Sequence, residues 1–156
     1  MIVAVIVCVA VGYVLGAVSW GLIVGYAFTG KDIRNFGSGK TGTTNVLRTA
    51  GKTAAALVLI ADVAKGAAPA LVGRFVFDEP VAAATGSAAA VAGHVWPVFS
   101  GFRGGRGVAT AYGGVLGLTP LLALAFPVVA AVILGGTRVM SLMSIVAAPI
   151  AAGIGA

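Results

Sequence analysis

From Ile2 to Phe28 the chain runs without one charged side chain. No small soluble core can enclose so long an apolar run, and a membrane-crossing helix needs about 20 such residues. Four further stretches have the same character: Thr53 to Phe77, Val81 to Phe99, Val108 to Leu134 and Val139 to Ala156. Of the 156 residues, 60% are hydrophobic and 9% charged, and the mean hydropathy is +1.09, so the bilayer is the expected solvent for much of the chain. The reading is an all-α integral membrane protein in a single membrane domain, with about five transmembrane helices. Pro120 and Pro127 lie in the fourth stretch, which counts as two short helices if they break it. The first stretch is too long for a signal peptide and no basic residue precedes it, so it is expected to be retained. The last runs to Ala156 without a polar tail, and a missing C-terminal segment is expected.

The net charge of +6 is concentrated in two places. Lys31, Arg34, Lys40, Arg48 and Lys52 crowd the connection 29–52, while Arg103 and Arg106 fall in the connection 100–107. The positive-inside rule makes both cytoplasmic, and places the acidic turn Asp78–Glu79–Pro80 and the N-terminus outside. Arg74, beside that turn, is a lone basic residue on the outer side. Lys31, Arg34 and Lys52 also suit anionic lipid headgroups. Nucleic acid is not an expected partner, because no soluble domain presents a groove and no aromatic run interleaves with the charges. One cysteine, Cys8, and one histidine, His94, leave no set of ligands for a metal, and no cofactor is implied.

The first connection contains Gly37-Ser38-Gly39-Lys40-Thr41-Gly42-Thr43-Thr44-Asn45-Val46-Leu47-Arg48. Closely spaced glycines let backbone N–H groups converge on an anion, the hydroxyls of Ser38, Thr43 and Thr44 add donors, and Arg48 can grip a phosphate with two bonds. A P-loop is excluded, because Arg34 stands five positions before Gly39 where that motif needs glycine. The second connection, Gly93-His94-Val95-Trp96-Pro97 through Gly101-Phe102-Arg103-Gly104-Gly105-Arg106-Gly107, sets two arginines among glycines just ahead of an apolar run. Guanidinium charge and the N–H groups opening the next helix then favour a second anion site. A flexible connector is the plain alternative for each. His94 is a candidate for binding or proton handling, or a hydrogen-bonded structural group that orients the loop.

Asp62 and Lys65 lie within the second apolar stretch, three residues apart on one helix face, so each can neutralise the other. Helix packing is the favoured role for Asp62, while the Lys65 amine could extend toward a bound phosphate. Arg138, Ser141 and Ser144 form a further polar interruption.

The strings Asp32-Ile33-Arg34 through Gly37-Ser38-Gly39, Thr44-Asn45-Val46-Leu47-Arg48-Thr49, Asp62 to Gly66, and Gly93-His94 through Thr110 closely resemble the bacterial acyl-phosphate:glycerol-3-phosphate acyltransferases, the PlsY family. The resemblance implies an inner-membrane enzyme that moves a fatty acyl group from acyl phosphate to the 1-hydroxyl of glycerol 3-phosphate. Lysophosphatidate and phosphate would be the products, and the reaction would serve phospholipid synthesis. It carries phosphate binding over to Ser38 and Arg48, with Asn45 and His94 matching the family's asparagine and histidine. The candidate site is then His94, Arg106 and Ser38 for catalysis. Ser38, Gly39, Thr43, Thr44, Asn45, Arg48, Lys65, Arg103, Gly104, Gly105, Arg106 and Gly107 are the candidates for substrate binding. Lys40 replaces the family's usual asparagine and Arg106 its usual lysine, so Arg106 carries over as an anion clamp and not as a proton donor. The family's third motif, rich in Arg, His and Asn, has no counterpart here. No serine-nucleophile motif is present and Phe99 stands where a His-x4-Asp element needs aspartate, which favours direct attack, with His94 or a donor phosphate oxygen taking the proton. A small anion transporter or channel, also built from glycines, arginines and broken helices, is the competing class; a structural membrane subunit is a weaker third.

Overall fold

The structure, a computed structural model, describes residues 1–123 and Ala125. Every regular element among them is helical: α1 (Ile2–Ala17), α2 (Trp20–Thr29), α3 (Thr43–Phe75), α4 (Pro80–Val95) and α5 (Val108–Leu118), with short 3-10 turns at Ile33–Asn35 and Val98–Ser100. Pro127, Arg138, Ser141, Ser144 and the stretch 139–156 lie outside the described residues.

Polarity is arranged inside out. Ile2, Ile6, Ile60, Phe75 and Val81 are exposed, whereas Asn45, Asp62, Lys65, Ser87, His94 and Thr110 are buried. Water would punish that exposure and hydrocarbon does not, which leaves polar groups to find partners inside the bundle. Two stretches, Ile2–Thr29 and Thr43–Phe75, are long and apolar enough to cross a bilayer.

Lipid tails are as apolar as leucine, so the helices associate through close backbone approach at small residues. α1 lies along α4, where a Cβ on Gly12 would strike the Gly86 carbonyl and one on Gly16 the Ala90 carbonyl. α3 meets α5 in the same way, with Gly66 against the Thr110 carbonyl and Gly113 against that of Val63. Two small apolar clusters result. Ala4, Cys8 and Ala82 fill one end. Ile33, Val46, Ala54, Ala55 and Val58 fill the other. Between the two lie Asp62 and Lys65, on the helix that runs from one cluster toward the other.

The apolar run 2–28 is not one helix. It breaks at Val18, whose φ of −66° and ψ of 109° end α1, and resumes at Trp20. Hydropathy is blind to such a break, because the groups that satisfy the freed backbone come from elsewhere in the chain. The connection 29–52 is shorter than expected as well. Helix starts at Thr43, and Gly51 (φ 88°) bends it where the long apolar run begins. α4 ends at Val95, short of Phe99, because Pro97 cannot donate to a continuing helix and disfavours α geometry at Trp96.

At one end of the bundle the terminal ammonium of Met1 pairs with Glu79 at 3.1 Å. There Arg74 also donates to the Leu118 carbonyl at 2.9 Å, closing the C-terminus of α5. The lone basic residue of this end thus has a local use. The glycine-rich connections gather at the opposite end.

Candidate active site

Asn45 builds the first loop. Its amide donates to the carbonyls of Ile33 and Lys40, both at 2.9 Å, and its Oδ1 accepts from the Ser38 N–H at 2.9 Å. Both amide hydrogens are spent on the fold, so this buried side chain shapes the loop that carries Ser38. Gly37 (φ 58°) passes so close that a Cβ would overlap Asn45 Oδ1. Thr43 opens α3 with its Oγ1 buried and unpartnered, and Gly42 supplies no side-chain cap, so the N-terminus of α3 keeps donors free beside the loop. Gly39, also at positive φ, closes a turn through its N–H to the Phe36 carbonyl. Thr44 is half-buried, while Ser38, Lys40 and Arg48 are exposed.

Arg34 does not reach toward headgroups. Its guanidinium grips Asp32, with Nη2 to Oδ2 at 2.7 Å and Nε to both oxygens at 3.1 Å, and Nη1 donates to the Ser100 carbonyl at 3.0 Å. That last bond ties the first loop to the second. The hydrogen bonds from Arg34 hold the Asp32 carboxyl below its ordinary range, with the Arg103 charge contributing in the same direction. Ser19, at the α1 break, meets Ser100 through hydroxyls 2.8 Å apart, and Tyr13 donates to the Trp96 carbonyl at 3.0 Å. None of these fasteners was visible in the sequence, although Asp32 two residues before Arg34 is the spacing of an Asx cap.

The second loop is built by backbone shape. Gly104 and Gly105 are buried against the end of α4, where the Gly105 N–H donates to the His94 carbonyl at 3.2 Å. A Cβ on Gly104 would strike that same carbonyl, and one on Gly105 would strike Nε2 of His94. Gly107 adopts φ 77° to open α5. Arg103 and Arg106 project outward, and among the described residues no hydrogen bond or ion pair holds either one or Arg48.

Beneath the loops three ionisable groups converge. Lys65 Nζ lies 2.8 Å from Asp62 Oδ1 and donates to the Val18 carbonyl at 2.9 Å. His94 Nδ1 lies 3.5 Å from the same carboxylate oxygen. The Lys65 side chain is 4% exposed, so its amine serves the broken end of α1 and does not extend to the loop surface. Asp62 therefore does more than balance Lys65, because it also faces the one histidine. Ser87, 3.4 Å from the Gly66 carbonyl, and Thr110, whose Oγ1 is unpartnered, are buried nearby on α4 and α5. Among the described residues no cluster fit for a metal occurs.

A helical bundle that buries an ion pair and an imidazole under two basic, glycine-rich loops is the arrangement that a membrane-embedded site for an anionic substrate calls for. The comparisons with known proteins give that class its particular form. The family model for glycerol-3-phosphate acyltransferase matches residues 6–155, and the chain belongs to that family. It is 46% identical to the glycerol-3-phosphate acyltransferase of Neisseria gonorrhoeae (strain NCCP11945), covering 92% of this chain and 76% of that one. The Rubrobacter xylanophilus glycerol-3-phosphate acyltransferase is 51% identical over 74% of this chain and 58% of its own. Among solved structures, PlsY (YgiH), an integral membrane glycerol 3-phosphate acyltransferase in its glycerol 3-phosphate form, superposes with a TM-score of 0.83 at 40% identity. That match covers 94% of this chain and 74% of the other. The lysophosphatidic acid form gives 0.81 at 39% identity, covering 94% and 73%.

Proposed function

We propose that this chain transfers a fatty acyl group from acyl phosphate to the 1-hydroxyl of glycerol 3-phosphate, releasing lysophosphatidate and phosphate. The observation that carries the reading is the placement of His94, its Nε2 turned to the second loop while Arg48, Arg103 and Arg106, at the same end of the bundle, are uncommitted among the described residues. Family membership supports it, as does the solved relative in its glycerol 3-phosphate form.

Acyl phosphate is a mixed anhydride and already activated, so the enzyme has mainly to align a hydroxyl with the carbonyl and stabilise the charge that develops. Ser38, Gly39, Thr43, Thr44 and Arg48 hold one phosphate at the α3 N-terminus. Arg103, Gly104, Gly105, Arg106 and Gly107 hold the other at the α5 N-terminus. The hydroxyl attacks directly, and its proton passes to His94 Nε2 and then to the departing phosphate. Asn45 acts by shaping the first loop, and Lys65 by neutralising Asp62. The chain crosses a bacterial inner membrane about five times, with its loops facing the cytoplasm and its N-terminus outside. Its acyl donor lies among the membrane lipids.

Reconstitution in liposomes with acyl phosphate and radiolabelled glycerol 3-phosphate tests the reading. Label is expected in lysophosphatidate, and lost in Ser38→Ala and Arg48→Ala. Uptake of labelled anion without new product would assign the chain to transport instead. Turnover retained in His94→Ala would move the proton acceptor to a phosphate oxygen of the donor.

A further inference from the structure

We infer that Asp62 is a positioning residue for His94, its carboxylate fixing the tautomer in which Nδ1 carries the proton and Nε2 presents a lone pair to the second loop. The inference rests on the proposed role of His94, and two independent features of the structure lead to it.

The first is the pair of unmatched groups. Asp62 is 1% and His94 6% exposed, and neither His94 Nδ1 nor Asp62 Oδ2 has a hydrogen-bond partner among the described residues. Nδ1 faces Asp62 Oδ1 at 3.5 Å, a separation that a small ring rotation on substrate binding closes. With the proton on Nδ1, donor faces acceptor. With the proton on Nε2, a lone pair would face a buried carboxylate, an unfavourable juxtaposition in a medium without water to relieve it. Lys65 is the other basic group facing this carboxylate, its Nζ 2.8 Å from the same Oδ1. Ser87 on α4 and Thr110 on α5, both buried, are uncharged.

The second feature lies on the other side of the ring. A Cβ added at Gly105 would overlap Nε2 while standing 3.1 Å from Cε1 and 3.2 Å from Cδ2. Nearly equal distances to the two ring carbons put that point in the plane that bisects the ring, and their length, which a point above the ring face would not reach, puts it on the outward axis of Nε2. The hydrogen that glycine carries in place of a Cβ therefore points along this axis. An N–H at Nε2 would be driven against it, whereas a lone pair meets a weakly positive C–H edge. Both sides of the imidazole thus select one tautomer.

One histidine in the chain makes the test direct, because imidazole labelled with 15N reports on His94 alone. Spectra of the full chain in detergent at neutral pH are expected to show a protonated Nδ1 and a bare Nε2. Removing the carboxylate alone would strand a buried ammonium, so the variant is Asp62→Leu with Lys65→Met, which replaces both charges by apolar groups of similar size. Its expected signature is loss of the single-tautomer spectrum, with kcat about 100-fold lower and KM for glycerol 3-phosphate within about twofold. A proton on Nε2 in the unmodified protein overturns the inference. So does an unchanged spectrum or kcat in the folded double variant. The expected spectra from a protein without acyltransferase turnover would uphold the positioning role while removing the proposed function.

Discussion

The two loops at the basic end of the bundle are both rich in glycine and basic residues and are made in opposite ways. In the first, side chains hold the backbone: Asn45 makes three hydrogen bonds to loop main chain, and Arg34 is clamped to Asp32. In the second, glycine main chain packs on the end of α4, with Gly104 and Gly105 pressed against His94, while among the described residues no hydrogen bond or ion pair holds either arginine. Glycine and basic residues therefore do not name a role by themselves. A basic side chain in such a loop is either structural or available to a ligand, and only its partners distinguish the two.

The sharpest way to break the comparison is a methyl group. Gly105→Ala drives a Cβ into the His94 ring, and overpacking of that kind costs about 1–3 kcal/mol. Activity should vanish even where the protein still folds, because Nε2 is covered. Gly42→Ala, in the other loop, meets nothing within 4 Å at a φ of −80° and should leave both activity and thermal midpoint intact. A tolerated Gly105→Ala would mean that the second loop does not sit on His94. Next comes Asn45→Ala. Loss of three bonds at about 1 kcal/mol each predicts about 3 kcal/mol of destabilisation, visible as a lower thermal midpoint in detergent.

Arg34→Ala should be milder, at most about 1 kcal/mol for a half-exposed pair. Its main effect should be a higher KM, because the bond to Ser100 that joins the loops is gone. Arg34→Lys should not restore it, since an ammonium cannot grip Asp32 and reach Ser100 in the same fork geometry. The same clamp has a pH signature. The Asp32 carboxyl titrates below its ordinary 3.8 in the folded protein, so its contribution is complete above that value and is lost as pH falls toward the lower folded value. Acid titration of Arg34→Ala should lack this component. Smallest in stability, Arg103→Ala and Arg106→Ala should leave the thermal midpoint unchanged and raise KM for the phosphorylated substrates, measured by initial rates. A fall in stability instead would make the second loop resemble the first.

Much of what makes up the candidate site was legible in the residues, because its signals are local. The spacing in Gly37-Ser38-Gly39 and Gly104-Gly105-Arg106-Gly107, and the polar pair inside an apolar helix, each lie within a few positions of one another. Asn45 and Lys65 were legible as important and not as to use, since their roles depend on partners far along the chain.

Sequence alone determined the solvent, because an uncharged run from Ile2 to Phe28 has no stable home in water. It likewise determined the family resemblance and the concentration of basic charge in two connections. The tertiary structure decided where the first run breaks, what Lys65 holds, and that Asp62 faces His94. The physical reason is distance along the chain. Lys65 reaches Val18 across 47 residues, Arg34 reaches Ser100 across 66 and Tyr13 reaches Trp96 across 83. No periodicity encodes such pairs, which exist only once glycines have let the helices close on one another.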